Sequence, residues 1–571
     1  MKKTGILPLL LTVLLVAGCK DEFLDVKPPA VFDETGLQNR AGVNFLLVGA
    51  YSLLDGAGAG ATSWHGSADN WIYGTVSADD AYKGSTSGDQ PEITFIEIKN
   101  ILSDNSHFRG KWRTVYDGVA RSNDVLRVTE KTTGLADAEK VQIRAQARFL
   151  RGWYHFEAKR MFNMVPYIDE KTYNPEDPNS TKIPNDKDIW SNIETDLKFA
   201  YENLPGTQAQ PGRATKWAAA AALAKAQLYQ KKWAEAKTLL TAITTSGRYR
   251  LMDRYHDNFR AAMNNNAESI LEVQNSVNDG AGGGENGNLG ATLNYPYAGP
   301  TTCCGFFQPS QNLVNAYRTD ANGLPLSTTF NDADVTSDQG IEANNASFTP
   351  FAGNLDPRLD WTVGRRSIPF LDWGQMPGKS WVRDQGNGGP YVSKKHLFYR
   401  ADVGTNTFAN NSRLNANNTR LIRYAHVLLM LAECEIELNN LEPARLLVNQ
   451  IRKRAANPDG FVKNADGAKA ANYVINEYTT AWADPAIARN ALRFETRLEL
   501  ALEGHRFFDL VRWGVAAETL NAYMAKEARL RAYFNGATFV KGKHEYYPIP
   551  LLEITNSAIS GAAVLKQNPG Y

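Results

Sequence analysis

The sequence predicts a mostly α-helical protein, in which tetratricopeptide-like two-helix hairpins form a scaffold and a long loop-rich insertion carries the ligand site. Three observations predict this class. Apolar side chains recur at three- and four-residue steps in several segments, and pairs of such segments are joined by short turns. Between the pairs, the composition shifts to Gly, Asn, Asp, Ser and Pro, which disfavours long helices.

A long amphipathic helix is expected from Lys140 to Asn163. Ile143, Ala147, Leu150 and Tyr154 recur at the spacing that places side chains on one helix face, while arginine and lysine occupy the other faces. The apolar face is therefore expected to pack against a neighbouring element.

Two further segments each predict a helical hairpin. The first has a helix from Thr215 to Tyr229 and a turn at Gln230 to Lys232, and the second has its turn at Asn439 and Asn440. Large and small residues alternate as in tetratricopeptide repeats, whose helix pairs stack to bury their apolar faces. Ordinary helical hairpins stay the alternative, because the spacing of the two along the chain is irregular. The apolar positions are Trp217, Ala220, Ala221, Ala224, Leu228, Trp233, Ala236, Leu239, Leu240, Tyr424, Leu428, Leu431, Ala432, Ile436, Ala444, Leu447, Val448 and Ile451.

The chain is expected to form a single domain, residues 19–571, after a leader at residues 1–18. The helical scaffold would cover about 40–250 and 420–520, and the loop-rich insertion about 251–419. Ile270 to Val273 is a candidate strand within the insertion. Long loops on a rigid frame are where binding groups are usually placed.

The first residues predict a secretory signal peptide that ends at a lipidation site. Lys2 and Lys3 precede a short apolar run, and Val16 to Cys19 resembles a bacterial lipobox. Acylation of Cys19 would tether the protein to a membrane without embedding it. No later stretch approaches the roughly 20 apolar residues of a transmembrane helix.

Composition argues against several function classes. With 62 Lys and Arg against 61 Asp and Glu, the chain lacks the basic footprint that nucleic acid requires, so no nucleic-acid partner is expected. Its 4 cysteines are too few for a disulfide scaffold. The adjacent Cys303 and Cys304 are expected to form a tight turn packed against Phe306 and Phe307, and a strained vicinal disulfide is the alternative. No cofactor or catalytic residue is expected, and no zinc-protease helix, Gly-x-Ser-x-Gly elbow or phosphate loop is present. The Asp- and Asn-rich loop from Thr319 to Gly340 could hold Ca²⁺, but a solvated loop is favoured, so no metal site is expected.

Several segments, in order along the chain, resemble the SusD/RagB family of surface nutrient-binding lipoproteins. The residues after Cys19, Lys20-Asp21-Glu22, also resemble the surface-export signal of Bacteroidetes lipoproteins. The segments that carry the family resemblance are Cys19 to Leu24, Ala147 to Tyr154, Ala214 to Tyr229, Leu421 to Glu433, Asn449 to Ala455, Arg497 to Gly514 and Ile549 to Tyr571.

The resemblance implies a non-enzymatic protein of the cell outer membrane, anchored through Cys19 and exposed at the surface. It would capture oligosaccharides and deliver them to a SusC-like TonB-dependent transporter. The alternatives are a peptide-binding RagB-like lipoprotein, a surface scaffold without its own small ligand, and a glycoside hydrolase. A hydrolase needs two carboxylates about 5 to 10 Å apart, and the sequence has many acids.

The segment Glu503 to Trp513 has two interpretations. One is an active site with His505 as base and Glu503 or Asp509 beside it. The favoured one is scaffold, with the aromatic residues in the core and with Glu499, Arg506, Asp509 and Arg512 in buried or half-buried ion pairs.

A narrower resemblance, to a subgroup that includes levan-binding members, implies ligand residues. It rests on the run that begins at Cys303, on Val76 to Ser85 and on Asp356 to Gly364. It implies that Arg383 donates a fork of hydrogen bonds to vicinal hydroxyls, that Asp89 accepts from them and that Cys303 shapes the turn. Where members of the subgroup stack a Trp on the sugar ring, this chain offers only Ser106 or His107, so His107 is one candidate stacking residue. Trp64 is the second candidate, as a replacement for that Trp. Fructan of the levan type is the leading ligand. Trp71 is expected in the core.

Overall fold

A computed structural model describes residues 34–58, 62–174 and 176–571. Cys19 and the expected leader lie outside these residues. Within them the chain is mostly helical, which confirms the predicted class. The helices are α1 (Arg40–Ser52), α2 (Pro91–Glu97), α3 (Ser106–Lys131), α4 (Asp137–Phe162), α5 (Trp190–Asn203), α6 (Lys216–Tyr229), α7 (Trp233–Thr245), α8 (Gln311–Ala316), α9 (Leu359–Thr362), α10 (Gln385–Gly388), α11 (Tyr424–Glu437), α12 (Leu441–Ala455), α13 (Pro485–Leu500), α14 (Arg506–Arg512), α15 (Ala516–Glu527) and α16 (Leu551–Asn556).

The strands of the described residues are short and form two-stranded antiparallel sheets, in the pairs β1 with β3, β2 with β8, β4 with β5 and β6 with β7. Among the helices of the described residues, none is long and apolar enough to cross a membrane. The strands are β1 (Ala81–Gly84), β2 (Ser269–Val273), β3 (Phe306–Pro309), β4 (Val363–Gly364), β5 (Val392–Ser393), β6 (Thr407–Phe408), β7 (Asn411–Asn415) and β8 (Thr419–Arg423).

The frame is a continuous stack of helices. Helix α1 packs on α3, and each helix from α3 to α6 packs on the next. The first helical hairpin is α6 and α7, and α6 begins after Thr215, whose hydroxyl caps it by accepting from the Ala218 N–H at 3.3 Å. The alanines of α6 are buried, and their small size allows the neighbouring helices to approach closely.

The two predicted hairpins are neighbours in space. Helix α7 of the first packs on α11 of the second, and α11 packs on both α12 and α13. Lys237 Nζ and Glu435 Oε2 join α7 and α11 at 2.8 Å. The long insertion between the hairpins in sequence therefore leaves their stacking intact.

The ends of the insertion are held together by β2 and β8. Ser269 pairs with Arg423 and Val273 with Thr419, and Arg423 directly precedes α11. The predicted strand from Ile270 to Val273 is thus present within β2. This pairing explains how a long, irregular segment leaves the helical frame and returns to it at one point.

A cluster of buried charges joins the insertion to α12 and α13, and we call it the buried ion network. Arg423 Nη1 lies 2.6 Å from Glu499 Oε1 and 2.7 Å from Glu268 Oε1. Arg358 Nη1 lies 2.9 Å from Glu499 Oε2. Charges removed from water are tolerated only when paired and hydrogen-bonded, and here each carboxylate meets at least one cation. The network consists of Glu268, Asp356, Arg358, Lys395, Arg423, Arg452, Arg454, Glu495, Glu499 and Glu503.

Candidate ligand-binding surface

The loop that carries Asp89 is held by the pairing of β1 with β3. Gly84 pairs with Phe306, and the Ser85 N–H donates to the Gly305 carbonyl at 2.6 Å. The buried Lys83 ammonium then donates to the carbonyls of Thr86 at 2.8 Å and Asp89 at 2.6 Å. The loop is therefore fixed from beneath by one lysine, and it lies beside the turn that contains Cys303.

Arg383 and Asp89 form an ion pair at the surface. Arg383 Nη1 lies 2.6 Å from Asp89 Oδ2 and donates to Ser85 Oγ at 2.8 Å, and Ser85 Oγ donates to the same carboxylate oxygen at 3.0 Å. Their side chains are 30% and 32% exposed. In the described part of the chain only Nη1 of Arg383 is engaged, so its other N–H groups are available to a ligand.

The turn with Cys303 lies against the same arginine. Cys303 and Cys304 are joined by a disulfide, across a cis peptide bond, so of the two sequence alternatives the vicinal disulfide is the one present. Gly305 has φ +78°, and a Cβ built there would lie 3.3 Å from the Cβ of Arg383 and 3.4 Å from that of Tyr297. Only glycine allows this close approach without strain.

Tyr297 completes the cluster, although no sequence motif marks it as a candidate ligand residue. Its ring centre lies 5.2 Å from the guanidinium carbon of Arg383, and the side chain is 40% exposed. The residue lies in a Pro- and Gly-rich loop just before the cysteine pair, where no periodicity marks an aromatic residue as buried or exposed. We call Ser85, Asp89, Tyr297, Cys303 and Arg383 the Arg383 surface.

His107 does not belong to this surface, and its predicted role as a stacking residue is wrong. The side chain is 1% exposed, and Nδ1 lies 3.3 Å from Glu92 Oε2. Hydrogen bonds from His107 and Ser106 lower the pKa of Glu92 to about 2. Because α2 begins directly after the Asp89 loop, the contact between His107 and Glu92 supports that loop from inside the protein.

Trp64 is half-buried beside the core, and its ring stands edge-on to His65 at 6.1 Å. No hydrogen bond, ion pair or ring contact within residues 34–58, 62–174 and 176–571 links it to Asp89 or Arg383. Its role as a stacking residue stays a prediction. Trp71, in contrast, is fully buried, and its indole N–H donates to the Gly290 carbonyl at 3.2 Å, as expected for a core residue.

The segment Glu503 to Trp513 is built into the scaffold. Glu503 belongs to the buried ion network, Arg506 Nε lies 2.8 Å from Asp79 Oδ1, and Arg512 Nε lies 2.8 Å from Asp509 Oδ1. Burial keeps the pKa of His505 well below its ordinary value. These contacts support the scaffold interpretation over the catalytic one.

No group of three or more His, Cys, Asp or Glu side chains in the described residues is placed to hold a metal ion. The Arg383 surface itself offers one carboxylate, which already accepts from Arg383 and Ser85. Its chemistry is that of hydrogen bonding and ring stacking.

Comparison with known proteins decides the family. A model described as the SusD family matches residues 267–571, just over half of the chain, and one described as "Starch-binding associating with outer membrane" matches residues 22–228. The chain belongs to the SusD family. A relative of this SusD family member, SusD-like protein P25 of Formosa agariphila, is 25% identical over 562 residues, which cover 95% of each chain.

Solved structures of SusD-like proteins share the fold. One, described as a laminarin-binding SusD-like protein, has a TM-score of 0.67 and 24% identity, and the match covers 93% of this chain and 100% of that one. Another, surface glycan-binding protein A from Bacteroides thetaiotaomicron in complex with laminarihexaose, has a TM-score of 0.62 and 21% identity, covering 93% and 99%. The helical frame of this chain is therefore that of known SusD-like structures.

Proposed function

We propose that this SusD family protein is a non-catalytic, lipid-anchored glycan-binding protein of the cell surface, which captures oligosaccharides at the Arg383 surface and delivers them to a SusC-like TonB-dependent transporter. The observation that carries the proposal is a half-exposed guanidinium with free donors, held by Asp89 and Ser85 and lying beside the exposed ring of Tyr297.

The chemistry of this surface suits a sugar. The free N–H groups of Arg383 match two adjacent hydroxyls, and the half-exposed Asp89 carboxylate can accept from a third. The apolar C–H face of a sugar ring can lie on Tyr297, whose flat ring offers contact area at the surface. Because Asp89 and Ser85 hold the guanidinium in place before the ligand arrives, little side-chain freedom is lost on binding.

Two glycan classes are candidate ligands for this surface. Fructan of the levan type is the leading ligand, because the subgroup resemblance implied Asp89, Cys303 and Arg383. Arg383 pairs with Asp89 and lies beside Gly305, two residues after Cys303, which supports this choice. A laminarin-type glucan is the competitor, because solved SusD-like structures of the same fold are described with laminarin or laminarihexaose. Calorimetry with levan-derived and laminarin-derived oligosaccharides separates the two classes.

The decisive experiment compares two arginine variants in that calorimetry, with xylan, chitin and peptide oligomers included. Arg383→Ala should abolish or strongly weaken binding of the active glycan. Arg127→Ala is the matched control, because Arg127 also pairs with a carboxylate, Asp124 at 2.5 Å, and lies 4.5 Å from the ring centre of the exposed Tyr173. Equal loss in both variants would contradict the proposal, and peptide binding alone would favour the RagB-like alternative.

The absence of catalysis is tested with the same ligand. Prolonged incubation of the purified protein with the bound oligosaccharide should yield no shorter product by chromatography. Product that disappears in a carboxylate variant would instead favour the hydrolase alternative.

The anchor and the transporter are tested in cells. The protein should carry radiolabelled fatty acid, and Cys19→Ser should remove the label, since acylation requires the cysteine thiol. The anchored protein should also co-purify with a TonB-dependent barrel protein from detergent-solubilised outer membranes. A label that persists in Cys19→Ser would contradict the proposed lipid anchor.

A further inference from the structure

A cleft far along the chain from the Arg383 surface lies between α1, the 210–213 loop that precedes α6, and β2 with the loop after it. Its main cavity measures about 510 Å³, and a second one of about 370 Å³ adjoins it. The segment Gln210 to Arg213 and Glu272 line both, so the loop crosses between two connected spaces. Cavities of roughly 300–1,000 Å³ are the size of small-molecule sites. No residue is shared with the Arg383 surface.

The polar groups of this cleft are held in fixed positions. Tyr51 donates its hydroxyl to Gln146 Oε1 at 3.1 Å and accepts from the Ala214 N–H at 3.0 Å. The guanidinium of Arg213 lies 5.3 Å from the ring centre of Tyr51 and donates to Gln210 Oε1 at 2.9 Å. A flat ring, a guanidinium and an amide are thus arranged before any ligand enters.

The charges that line the main cavity are balanced and give no preference for an anion or a cation. Arg213 donates to amide oxygens only, and within the described residues it has no carboxylate at ion-pair distance. Asp55 accepts from the Ala57 N–H at 2.6 Å and, in the same part of the chain, has no cation at that distance. Glu272 is already paired with Arg420, whose Nε lies 3.3 Å from its Oε1. The main cavity therefore presents one cation and one carboxylate whose charges cancel, which suits a neutral ligand. Burial raises the pKa of Asp55 to about 6, because the carboxylate is partly removed from water there.

We infer that this cleft is a second saccharide site, which binds a neutral mono- or disaccharide independently of the Arg383 surface. Arg213 and Gln210 supply donors, Asp55 and the exposed Gln274 supply acceptors, and Tyr51 supplies an aromatic ring. The exposed Asn286 adds an amide that can accept a hydrogen bond. The apolar wall of Val48, Leu54 and Pro211 suits the C–H faces of a sugar ring.

The 210–213 loop packs closely against the wall of the cleft. Gly212 has φ +80°, and a Cβ built there would lie 2.4 Å from Cγ of Gln274. The backbone therefore rests directly on Gln274, which lines the larger cavity. Gln274 in turn exchanges hydrogen bonds with Asn265 at 2.8 and 3.0 Å, so its amide has a defined orientation.

The test uses the full mature chain with Arg383→Ala, which removes the surface of the proposed function. Saturation-transfer NMR with sucrose, laminaribiose and xylobiose should still detect binding of at least one of them. Adding Val48→Trp, which fills the mouth of the cavity, should remove most of that signal, and adding Gln274→Ala should weaken it. The matched control is Leu446→Trp on α12, because Leu446 is 51% exposed and Val48 is 50% exposed.

Three results would overturn the inference. The first is no response from any of the three sugars in the Arg383→Ala chain. The second is a response that survives both Val48→Trp and Gln274→Ala, or falls equally with Leu446→Trp. The third is a stronger response to sodium glucuronate, which carries a negative charge. Loss of long-oligosaccharide binding in Arg383→Ala is a separate result and tests the proposed function alone.

Discussion

Arg423 and Arg383 both pair with carboxylates, but they do so in opposite surroundings. The Arg423 side chain is 2% exposed and contacts Glu268, Glu499 and Glu503. The Arg383 side chain is 30% exposed and contacts a single carboxylate, that of Asp89. The buried guanidinium has no capacity left for a ligand, whereas the exposed one keeps free donors. Residue type alone does not separate a structural arginine from a binding arginine; burial and the number of partners do.

The same difference decides what each pair contributes to stability. An exposed ion pair contributes about 0–1 kcal/mol, because water and salt screen it. Removing one partner from a buried cluster leaves an uncompensated charge in the interior and costs about 3–5 kcal/mol.

The largest effect is expected from Glu499→Gln. This change removes the carboxylate that pairs with Arg358, Arg423 and Arg454, and the free energy of unfolding should fall by about 3–5 kcal/mol. Urea denaturation followed by circular dichroism measures the loss. Glu518→Gln, an exposed position on α15, is the control and should change little. A loss below about 1 kcal/mol would show that the buried and exposed pairs do not differ in stability.

Acid should weaken the buried network in a defined pH window. Burial alone would raise the pKa of Glu503, but the charges of Arg423 and Lys395 outweigh it and bring the pKa from 4.5 to about 2. A lowered carboxyl pKa adds stability that is complete above pH 4.5 and is lost as the pH falls toward 2. The free energy of unfolding of Glu503→Gln should therefore vary less with pH in that window than that of the unmodified protein. Parallel profiles would contradict this assignment.

Arg383→Ala should weaken ligand binding and leave stability nearly unchanged, in contrast to the changes in the buried ion network. Binding of the active oligosaccharide should weaken by about 1.5–3 kcal/mol, the range for hydrogen bonds to charged groups. Stability should change by no more than about 1 kcal/mol, because the pair with Asp89 is exposed. Calorimetry and urea denaturation on the same preparation measure both quantities. A large stability loss without weaker binding would make Arg383 a structural residue.

Tyr297→Ala should give the smallest effect. Removing one stacking ring should weaken oligosaccharide binding by about 0.5–1.5 kcal/mol, while Arg383 stays in place through Asp89. Tyr173→Ala is the control, since Tyr173 is 44% exposed and also lies over an arginine. Unchanged binding in Tyr297→Ala would limit the ligand surface to the polar residues.

The periodic parts of the chain were predictable, and the irregular ones were not. Helices α4 and α6 follow from apolar spacing and strand β2 from a short run of residues, because both are local patterns of neighbouring residues. His107 was predicted to stack on the ligand, and the sequence could not show that its side chain would be buried in contact with Glu92. Tyr297 was missed because a Pro- and Gly-rich loop has no period from which exposure can be inferred.

What the sequence by itself determined is the helical class, the two hairpins, the family resemblance and the burial of Trp71, all of which depend on local pattern or on motifs. Only the tertiary structure decided that the hairpins touch through α7 and α11, that Arg383 meets an acid 294 residues away, and which buried arginine pairs with which glutamate. The physical reason is that a hydrogen bond or ion pair depends on distances of a few ångströms, and the folded backbone alone sets those distances between remote segments.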